Sequence, residues 1–571
     1  MGVQYSREKP SLGVSSAPDI PIPDQPLGTA QKIRIICVGA GVSGLNLAHQ
    51  VATRMKNVDF QIYEKNHDIG GTWLENKYPG CACDVPAHNY QYSWALNPNW
   101  SEFYPSSKEI HTYLKDTARN YDLEKFIKLH SKIISAIWDE STSLWNLKVE
   151  DQLTKKVTDD SCNYFINGGG FLNNWKWPDI PGLKSFKGDL AHTASWDETI
   201  DLKNKRVAVI GNGSTGIQVV ATINEDVKHL TTLIRNPTWI TPAFAEGLAG
   251  KDGANIKYTE QEKKNFAENP EKWLEYRKSI EAKISLEFTS NIMGTKEQKD
   301  AQTSATELMI KRLGNDPVLS KILIPDFGVG CRRPTPGLGY LESLVKPNVR
   351  LVTDHIEEVV PSGIKLKTGE IVEVDVLITA TGFDYTWIPR FPIIGRNGIN
   401  LQDQWQERPA SYMGIGVNNM PNYFVYLGPN SPLSHGSVIP TVEVFTKYML
   451  LMIWKAQTEN YKSFVLKDDA YREYLDHHDT FHKRTVWGTK CRSWLKGGRE
   501  DGHVLTHCGS RIHNIHMLWN PRAEDYEWQL VHSNRFSYLG NGYSVKENES
   551  EGRDVTWFLT NPNAGYEPIQ Y

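Results

Sequence analysis

Two glycine-rich turns constrain this chain more than any other feature. The first spans residues 39–44 (Gly-Ala-Gly-Val-Ser-Gly) and the second spans residues 211–216 (Gly-Asn-Gly-Ser-Thr-Gly). Each follows a short apolar run and precedes apolar residues at helical spacing, the context that a dinucleotide-binding fingerprint requires. The glycines let the backbone approach a pyrophosphate, which meets free N–H groups at the helix N-terminus. The sequence therefore predicts an α/β fold with two Rossmann-type dinucleotide-binding domains.

The residues that end the second strand of each unit differ in charge. Glu64 lies about 20 residues after Gly44, where a carboxylate accepts hydrogen bonds from ribose hydroxyls and repels a 2′-phosphate. Arg235, followed by Asn236, ends the corresponding strand of the second unit. A guanidinium favours a 2′-phosphate, although a lone arginine is also a common surface charge. We therefore expect FAD or NAD at the first turn and NADPH at the second.

The glycine turns and the composition between them divide the chain into segments. A charged, helix-like stretch interrupts the second unit, and a strand over residues 374–382 is expected to return the chain to the first domain. The predicted organisation is an N-terminal extended arm at 1–30, the first part of an FAD-binding domain at 31–180, an NADP-binding domain at 181–370 with a helical insert at about 243–325, and the second part of the FAD domain with a C-terminal region at 371–571.

Composition excludes several other classes of protein. With 571 residues the chain is too long for one core, and its net charge of −4 gives no reason to expect nucleic acid. Seven dispersed cysteines argue against a disulfide framework and for a reducing compartment. No apolar run has the length of a membrane span and no signal peptide is visible, so a cytoplasmic location is expected. No metal site is predicted, and His478 and His482 are interpreted as surface residues.

Three further motifs lie around the glycine turns. The segment between the turns has the spacing Phe-x-Gly-x-x-x-His-x-x-x-Trp-Asp, formed by Phe186, Gly188, His192, Trp196 and Asp197. A Gly-Gly-Thr-Trp sequence at residues 70–73 is followed by Tyr-Pro-Gly at residues 78–80 and then by Asp84. An arginine pair at residues 332–333 precedes Tyr340. Together these motifs resemble those of type I Baeyer–Villiger monooxygenases, and the resemblance spans roughly residues 30–545.

The resemblance implies a flavin enzyme that uses FAD, NADPH and O2. NADPH would reduce the flavin, and the resulting C4a-peroxyflavin would attack a ketone to give an ester or lactone. The implied FAD contacts are Gly39, Gly41, Gly44, Glu64, Thr72, Trp73, Asp84, Val85 and Tyr90. The implied NADP contacts are Ala82, Cys83, Asp84, Gly211, Asn212, Gly213, Ser214, Thr215, Gly216, Arg235, Asn236, Arg332 and Trp494.

The resemblance also assigns roles to individual residues. Arg333 matches the active-site arginine, whose permanent charge can stabilise an anionic oxygen, and Asp84 is expected to hold it in place. Arg332 matches the residue near the 2′-phosphate. His192 could act as an acid–base group, but a histidine between apolar neighbours is more often packed. We interpret the motif from Phe186 to Asp197 as a hinge, in a linker between domains, that couples cofactor binding to domain position.

Other functions remain open at this point. An S- or N-oxidising flavin monooxygenase shares both glycine turns, but its fingerprint typically ends differently from Trp196-Asp197. A disulfide reductase is disfavoured because no Cys-x-x-Cys follows the flavin turn. A non-catalytic dinucleotide sensor would not need the arginine pair. The sequence does not specify the ketone or the oligomeric state, and the pocket residues are expected in the insert and the C-terminal region.

Overall fold

The computed structural model describes residues 20–434, 436–548, 550 and 552–560. Most of the predicted N-terminal arm, residues 1–19, lies outside this range. The described part of the arm runs along the C-terminal region, where the Leu27 N–H donates to the Tyr543 carbonyl at 2.7 Å. Leu27 also forms a parallel bridge with Ser544.

The strands are short and most belong to two parallel sheets. They are β1 (Ile33–Val38), β2 (Val58–Tyr63), β3 (Ile127–Lys128), β4 (Ser131–Asp139), β5 (Leu144–Asp151), β6 (Val157–Cys162), β7 (Tyr164–Asn167), β8 (Asp189–His192), β9 (Arg206–Ile210), β10 (His229–Leu233), β11 (Val349–Val352), β12 (Ile356–Val360), β13 (Gly363–Leu366), β14 (Ile371–Glu373), β15 (Val376–Thr379), β16 (Ile393–Ile394), β17 (Tyr423–Val425), β18 (Tyr461–Leu466) and β19 (Tyr526–Leu530).

The helices cover the sheets and form the insert. They are α1 (Val42–Arg54), α2 (Thr72–Glu75), α3 (Ser107–Asn120), α4 (Ser214–Ile223), α5 (Glu260–Glu268), α6 (Pro270–Ser285), α7 (Lys296–Arg312), α8 (Pro317–Leu323), α9 (Tyr340–Leu344), α10 (Leu401–Glu407), α11 (Ile439–Thr458), α12 (Asp468–His482), α13 (Arg511–Met517) and α14 (Trp557–Thr560).

The first sheet has the order β17-β7-β1-β2-β3, and all its pairs are parallel. Strand β1 lies in the middle, so both its faces are covered, and its sequence is apolar except for the partly exposed Arg34. The chain leaves β1 through the first glycine turn and enters α1, which packs against the buried helix α11. Strands β1 and β2 with helix α1 form the predicted βαβ unit. Strand β17 of the same sheet and helix α11 come from the C-terminal part of the chain.

The second sheet has the order β11-β10-β9-β15-β8 and is also wholly parallel. The two-domain Rossmann-type fold is therefore confirmed. Strand β15, which was expected to return the chain to the first domain, instead pairs with β8 and β9 in this second sheet. Its apolar side chains are buried on both faces, as a central strand of this sheet requires. The chain returns to the first sheet only after β15.

The segment from Phe186 to Asp197, which was interpreted as a hinge in a linker between domains, is also part of the second sheet. Its central part forms β8, an edge strand of the second sheet, which ends at His192. Gly188 precedes this strand, and a Cβ there would lie 2.2 Å from the Asp375 carbonyl oxygen, so the close approach requires glycine.

The helical insert is confirmed, with α5 to α8 lying between β10 and β11.

One further prediction about side chains was wrong. His478 and His482, expected on the surface, are both buried on α12, and the Nε2 atom of each contacts the Thr506 carbonyl at 2.7 and 3.0 Å. They face the C-terminal segment instead of solvent. The cysteines contain one disulfide, between Cys331 and Cys491, although the other five are free and the pattern is not a disulfide framework.

Candidate active site between the two glycine turns

The two glycine turns have the same geometry. Gly39 and Gly211 have φ angles of 91° and 112°, in the region that favours glycine. A Cβ on Gly44 would lie 2.1 Å from the Gly39 carbonyl oxygen, and a Cβ on Gly216 would lie 2.1 Å from that of Gly211. The third glycine of each turn therefore lets its helix pack directly onto the strand–turn junction.

The Glu64 carboxylate is hydrogen-bonded to the backbone of the first turn. It is 4% exposed, and its two oxygens accept hydrogen bonds from the backbone N–H groups of Ala40 and Asn66, both at 2.8 Å. Burial raises the pKa of Glu64, and these backbone hydrogen bonds act in the opposite direction. The side chain is thus fixed beside the turn, where sequence reasoning expects it to contact a ribose.

A loop from the first domain reaches the second glycine helix. The Gln218 side chain on α4 donates to the Ala82 carbonyl at 3.0 Å and accepts from the Tyr78 hydroxyl at 2.8 Å. On the other side of the loop, Trp73 Nε1 donates to the Tyr90 hydroxyl at 3.2 Å. The residues expected to face both cofactors are therefore held on one bridging segment.

Arg333 and Asp84 form a two-point ion pair within this junction. Arg333 Nη1 and Nη2 each donate to one oxygen of the Asp84 carboxylate, the second at 2.8 Å. The Arg333 Cζ atom lies 5.5 Å from the centre of the Phe244 ring, which belongs to the insert. Burial lowers the pKa of Arg333, but the Asp84 carboxylate outweighs this effect and the net shift is upward. The guanidinium is held protonated and in one orientation.

Arg332 points to a different group of residues. Its Nε donates to the Arg492 carbonyl at 2.9 Å and its Nη1 donates to the Pro237 carbonyl at 2.9 Å. Burial lowers its pKa, and the neighbouring charges of Arg492 and Arg235 lower it further. Among the described residues, no carboxylate forms an ion pair with any of these three arginines. Three converging cations without a counter-ion form a site suited to a phosphate.

A single cavity of about 1110 Å³ connects these features. Both glycine turns, the bridging loop and the arginines line it. The lining includes Gly39, Gly41, Glu64, Thr72, Trp73, Ala82, Cys83, Asp84, Val85, Tyr90, Gly211, Asn212, Gly213, Ser214, Thr215, Arg235, Asn236, Arg332, Arg333 and Trp494. Gly44 and Gly216 lie behind the turns and do not line it.

The fingerprint residues lie outside this cavity. His192 is 1% exposed, its Nδ1 accepts from the Ala194 N–H at 3.1 Å, and its ring stacks on Trp175 at 4.5 Å. Its Nε2 therefore carries the proton and points at the Thr381 hydroxyl, 3.3 Å away. Burial lowers the pKa of His192 to about 4. This is the environment of a packed, neutral histidine, and Thr381 does line the cavity.

Comparison with known proteins identifies the family. A model of the flavin-binding monooxygenase-like proteins matches residues 31–278. The chain is 38% identical over 537 residues to the FAD-binding monooxygenase tazF of Aspergillus terreus, covering 93% of this chain and 95% of that relative. This chain belongs to the flavin-binding monooxygenase-like family.

Two other proteins are similar to this flavin-binding monooxygenase-like chain over most of its length. A Baeyer–Villiger monooxygenase of Pseudomonas aeruginosa is 32% identical over 467 residues, covering 81% of this chain and 85% of that relative. Cyclohexanone monooxygenase from Rhodococcus sp. Phi1, solved bound to NADP+, matches with a TM-score of 0.74 at 25% identity, covering 88% of this chain and all of that one. The resemblance found from the motifs is confirmed at this level.

Sequence reasoning missed several residues of this flavin-binding monooxygenase-like site. Arg492 was not predicted, although it lies two residues before Trp494. Trp494 stacks on Phe171 with ring centres 5.9 Å apart. Trp387 contacts both rings, with its centre 5.5 Å from that of Phe171 and 6.3 Å from that of Trp494. The only signal in the sequence was the abundance of aromatic residues, which does not say which rings meet.

Membrane spans and metal clusters were searched for among the described residues. No helix there is long and apolar enough to cross a membrane. The same residues contain no group of three or more histidine, cysteine or acidic side chains placed to hold a metal ion.

Proposed function

We propose that this protein is an NADPH- and O2-dependent flavoprotein that inserts an oxygen atom beside a ketone carbonyl, giving an ester or lactone. The observation that carries the proposal is the Arg333–Asp84 ion pair, which lies on the cavity between both glycine turns. A charge held at that junction faces both cofactor sites at once.

The first turn suits FAD and the second suits NADPH. At the first turn, the glycine backbone leaves room for a pyrophosphate and Glu64 lies where a ribose would bind. At the second, Arg235, Arg332 and Arg492 offer positive charge to a 2′-phosphate. When both are bound, the nicotinamide supplies the hydride and the reduced flavin activates O2.

The residues of the chain supply position and charge to that chemistry. Arg333 stays protonated at any working pH, so it can stabilise negative charge on a reacting oxygen without readily giving up its proton. Asp84 fixes the guanidinium plane by accepting from both of its terminal nitrogens. Thr72, Trp73, Val85 and Tyr90 would line the flavin, and Trp494 would cover the nicotinamide nucleotide.

The proposal is tested with purified protein and one substrate of each competing class. We expect a flavin absorbance spectrum and NADPH oxidation that is stimulated by a ketone, with an ester or lactone as product. A parallel assay with a thioether detects an S-oxidising enzyme. Sulfoxide without ester would replace the proposal with that alternative, and a protein that binds both nucleotides without turnover would be a sensor.

A further inference from the structure

The disulfide between Cys331 and Cys491 joins two segments that both carry cofactor-site arginines. Cys331 directly precedes Arg332, and Cys491 directly precedes Arg492. The two cysteines are separated by 160 residues in the chain, and their Cα atoms are 6.6 Å apart, within the usual range for a disulfide. Cys331 is 0% exposed and Cys491 is 4% exposed. The covalent link therefore lies directly behind the arginine cluster.

The arginine cluster needs such a constraint before the nucleotide binds. Arg332, Arg492 and Arg235 lie close enough for their charges to repel, and this repulsion contributes to the lowered pKa of Arg332. Within the described part of the chain, no acidic residue pairs with them. Hydrogen bonding across the two segments, from Arg332 Nε to the Arg492 carbonyl at 2.9 Å, opposes the repulsion only weakly. Without a phosphate, like charges favour separation of the two segments.

We propose that the Cys331–Cys491 disulfide positions Arg332 and Arg492 for the 2′-phosphate, so that breaking it selectively weakens binding of NADPH. The inference rests on the proposed NADP site. Reduction by an added dithiol would convert the S–S bond into two thiols, while the dithiol loses two electrons and two protons and becomes a cyclic disulfide. The two cysteines are positioning residues, because they act through the arginines and not on the cofactor.

Other contacts should preserve the fold when the bond is broken. Trp487 Nε1 donates to the Gly330 carbonyl at 2.9 Å, next to Cys331 in the chain. Arg332 also remains bonded to Pro237 and Thr238, each at 2.9 Å. Loss of the disulfide is therefore expected to loosen the cluster without unfolding the domain. NADH, which has no 2′-phosphate, provides a ligand that does not need the cluster.

The experiment compares the double variant Cys331→Ser/Cys491→Ser with Cys508→Ser, which removes a buried free cysteine elsewhere. Dissociation constants for NADPH and NADH are measured by anaerobic titration of the FAD-loaded proteins after photoreduction of the flavin, so that hydride transfer does not consume the nucleotide. We expect the double variant to bind NADPH roughly tenfold more weakly, the effect of losing a preorganised phosphate contact. We expect its affinity for NADH and its FAD content to equal those of the Cys508→Ser control. Because the bond is buried, dithiol treatment of the wild-type protein is continued until thiol counting shows that it is reduced; this form should show the same selective loss, and reoxidation should reverse it.

Three outcomes would overturn the inference. Peptide mapping of the unreduced protein could find both thiols free, which would remove the bond itself. The double variant could lose NADPH and NADH affinity in parallel, which would indicate a general structural role. It could also bind both nucleotides as the control does. Failure of the NADP site itself is distinguished by Arg492→Ala: unchanged NADPH affinity in that variant would contradict the proposed function, whatever the cysteines do.

Discussion

The terminal nitrogens of Arg333 each contact one carboxylate oxygen of Asp84, although 249 residues separate the two in the chain. This pair fixes a charge from the second domain to a loop of the first. Because that loop also carries Trp73 and Tyr90, the position of the guanidinium depends on how the two domains meet. The pair therefore links domain arrangement to the electrostatics of the cavity.

Replacing Arg333 should greatly slow product formation while leaving the flavin bound. A unit charge at ~4 Å with an effective dielectric of ~20 is worth roughly 4 kcal/mol. We expect Arg333→Ala to form ester about a thousandfold more slowly, with FAD content unchanged. Product is measured by gas chromatography and flavin content by absorbance. Arg206→Ala, which removes an arginine that pairs with Asp375 away from the cavity, is the matched control. Normal ester formation by Arg333→Ala would remove it from the mechanism.

Replacing Asp84, the ion-pair partner of Arg333, should slow product formation less than replacing Arg333 does. Asp84→Asn keeps the shape of the side chain and one acceptor oxygen but removes the negative charge that orients the guanidinium. We expect product formation to fall by about ten- to a hundredfold, since misplacement by roughly 1 Å has effects of that size. Turnover with ketone and NADPH at saturation measures the loss. A decrease as large as that of Arg333→Ala would mean that Asp84 acts directly and not by positioning.

Much of the fold was predictable because its signals are local. A buried strand, three glycines and an amphipathic helix lie within a few dozen residues, so both nucleotide units could be found without contacts. The positions of Glu64 and Arg235 in the two units could also be predicted, because each residue comes at the end of a predicted strand. Strand β15 was misassigned because pairing partners in a parallel sheet are distant in sequence, and an apolar run fits either sheet equally well.

The features that were missed depend on long-range proximity. Arg492 joins Arg332 across 160 residues, and the disulfide of their neighbours, Cys331 and Cys491, spans the same distance. No spacing rule connects residues that far apart. His478 was read as exposed because the charged residues around it on α12 conceal which face is buried. In each case the deciding information was the position of a second segment.

The arginine cluster of Arg235, Arg332 and Arg492 makes a prediction about nucleotide preference. Arg492 is solvent-accessible and lines the cavity, and its Nε donates to the Gly498 carbonyl at 2.8 Å. We expect Arg492→Ala to raise the KM for NADPH roughly tenfold, because a charged hydrogen bond to a phosphate is lost. The KM for NADH and kcat should change little. Initial rates with both nucleotides measure this, and an equal rise for NADH would show that Arg492 does not act on the 2′-phosphate.

Two glycines of the second turn are expected to have different roles, Gly216 in stability and Gly213 in nucleotide binding. A Cβ on Gly216 would lie 2.1 Å from a backbone carbonyl, whereas a Cβ on Gly213 meets nothing within 4 Å. We expect Gly216→Ala to lower the free energy of unfolding by about 3 kcal/mol or more through overpacking. Gly213→Ala should keep the wild-type melting temperature yet bind NADPH more weakly, because its methyl group points where the pyrophosphate approaches. Thermal melts and NADPH titrations measure the two effects, and unaltered binding by Gly213→Ala would place the nucleotide elsewhere.

The buried His192 predicts how stability depends on pH. Burial lowers its pKa to about 4 from an ordinary value of 6.5, so the unfolded chain takes up a proton at higher pH than the folded protein does. Its contribution to stability is therefore fully present above pH 6.5 and is lost as the pH falls towards 4. We expect a loss of up to about 3 kcal/mol from this group over that window. His192→Phe retains a ring to stack on Trp175 but cannot titrate, so its unfolding free energy should fall less steeply than that of the wild type. Chemical denaturation at several pH values compares the two slopes, and because other titrating groups are common to both proteins, parallel slopes would show that His192 is not the group responsible.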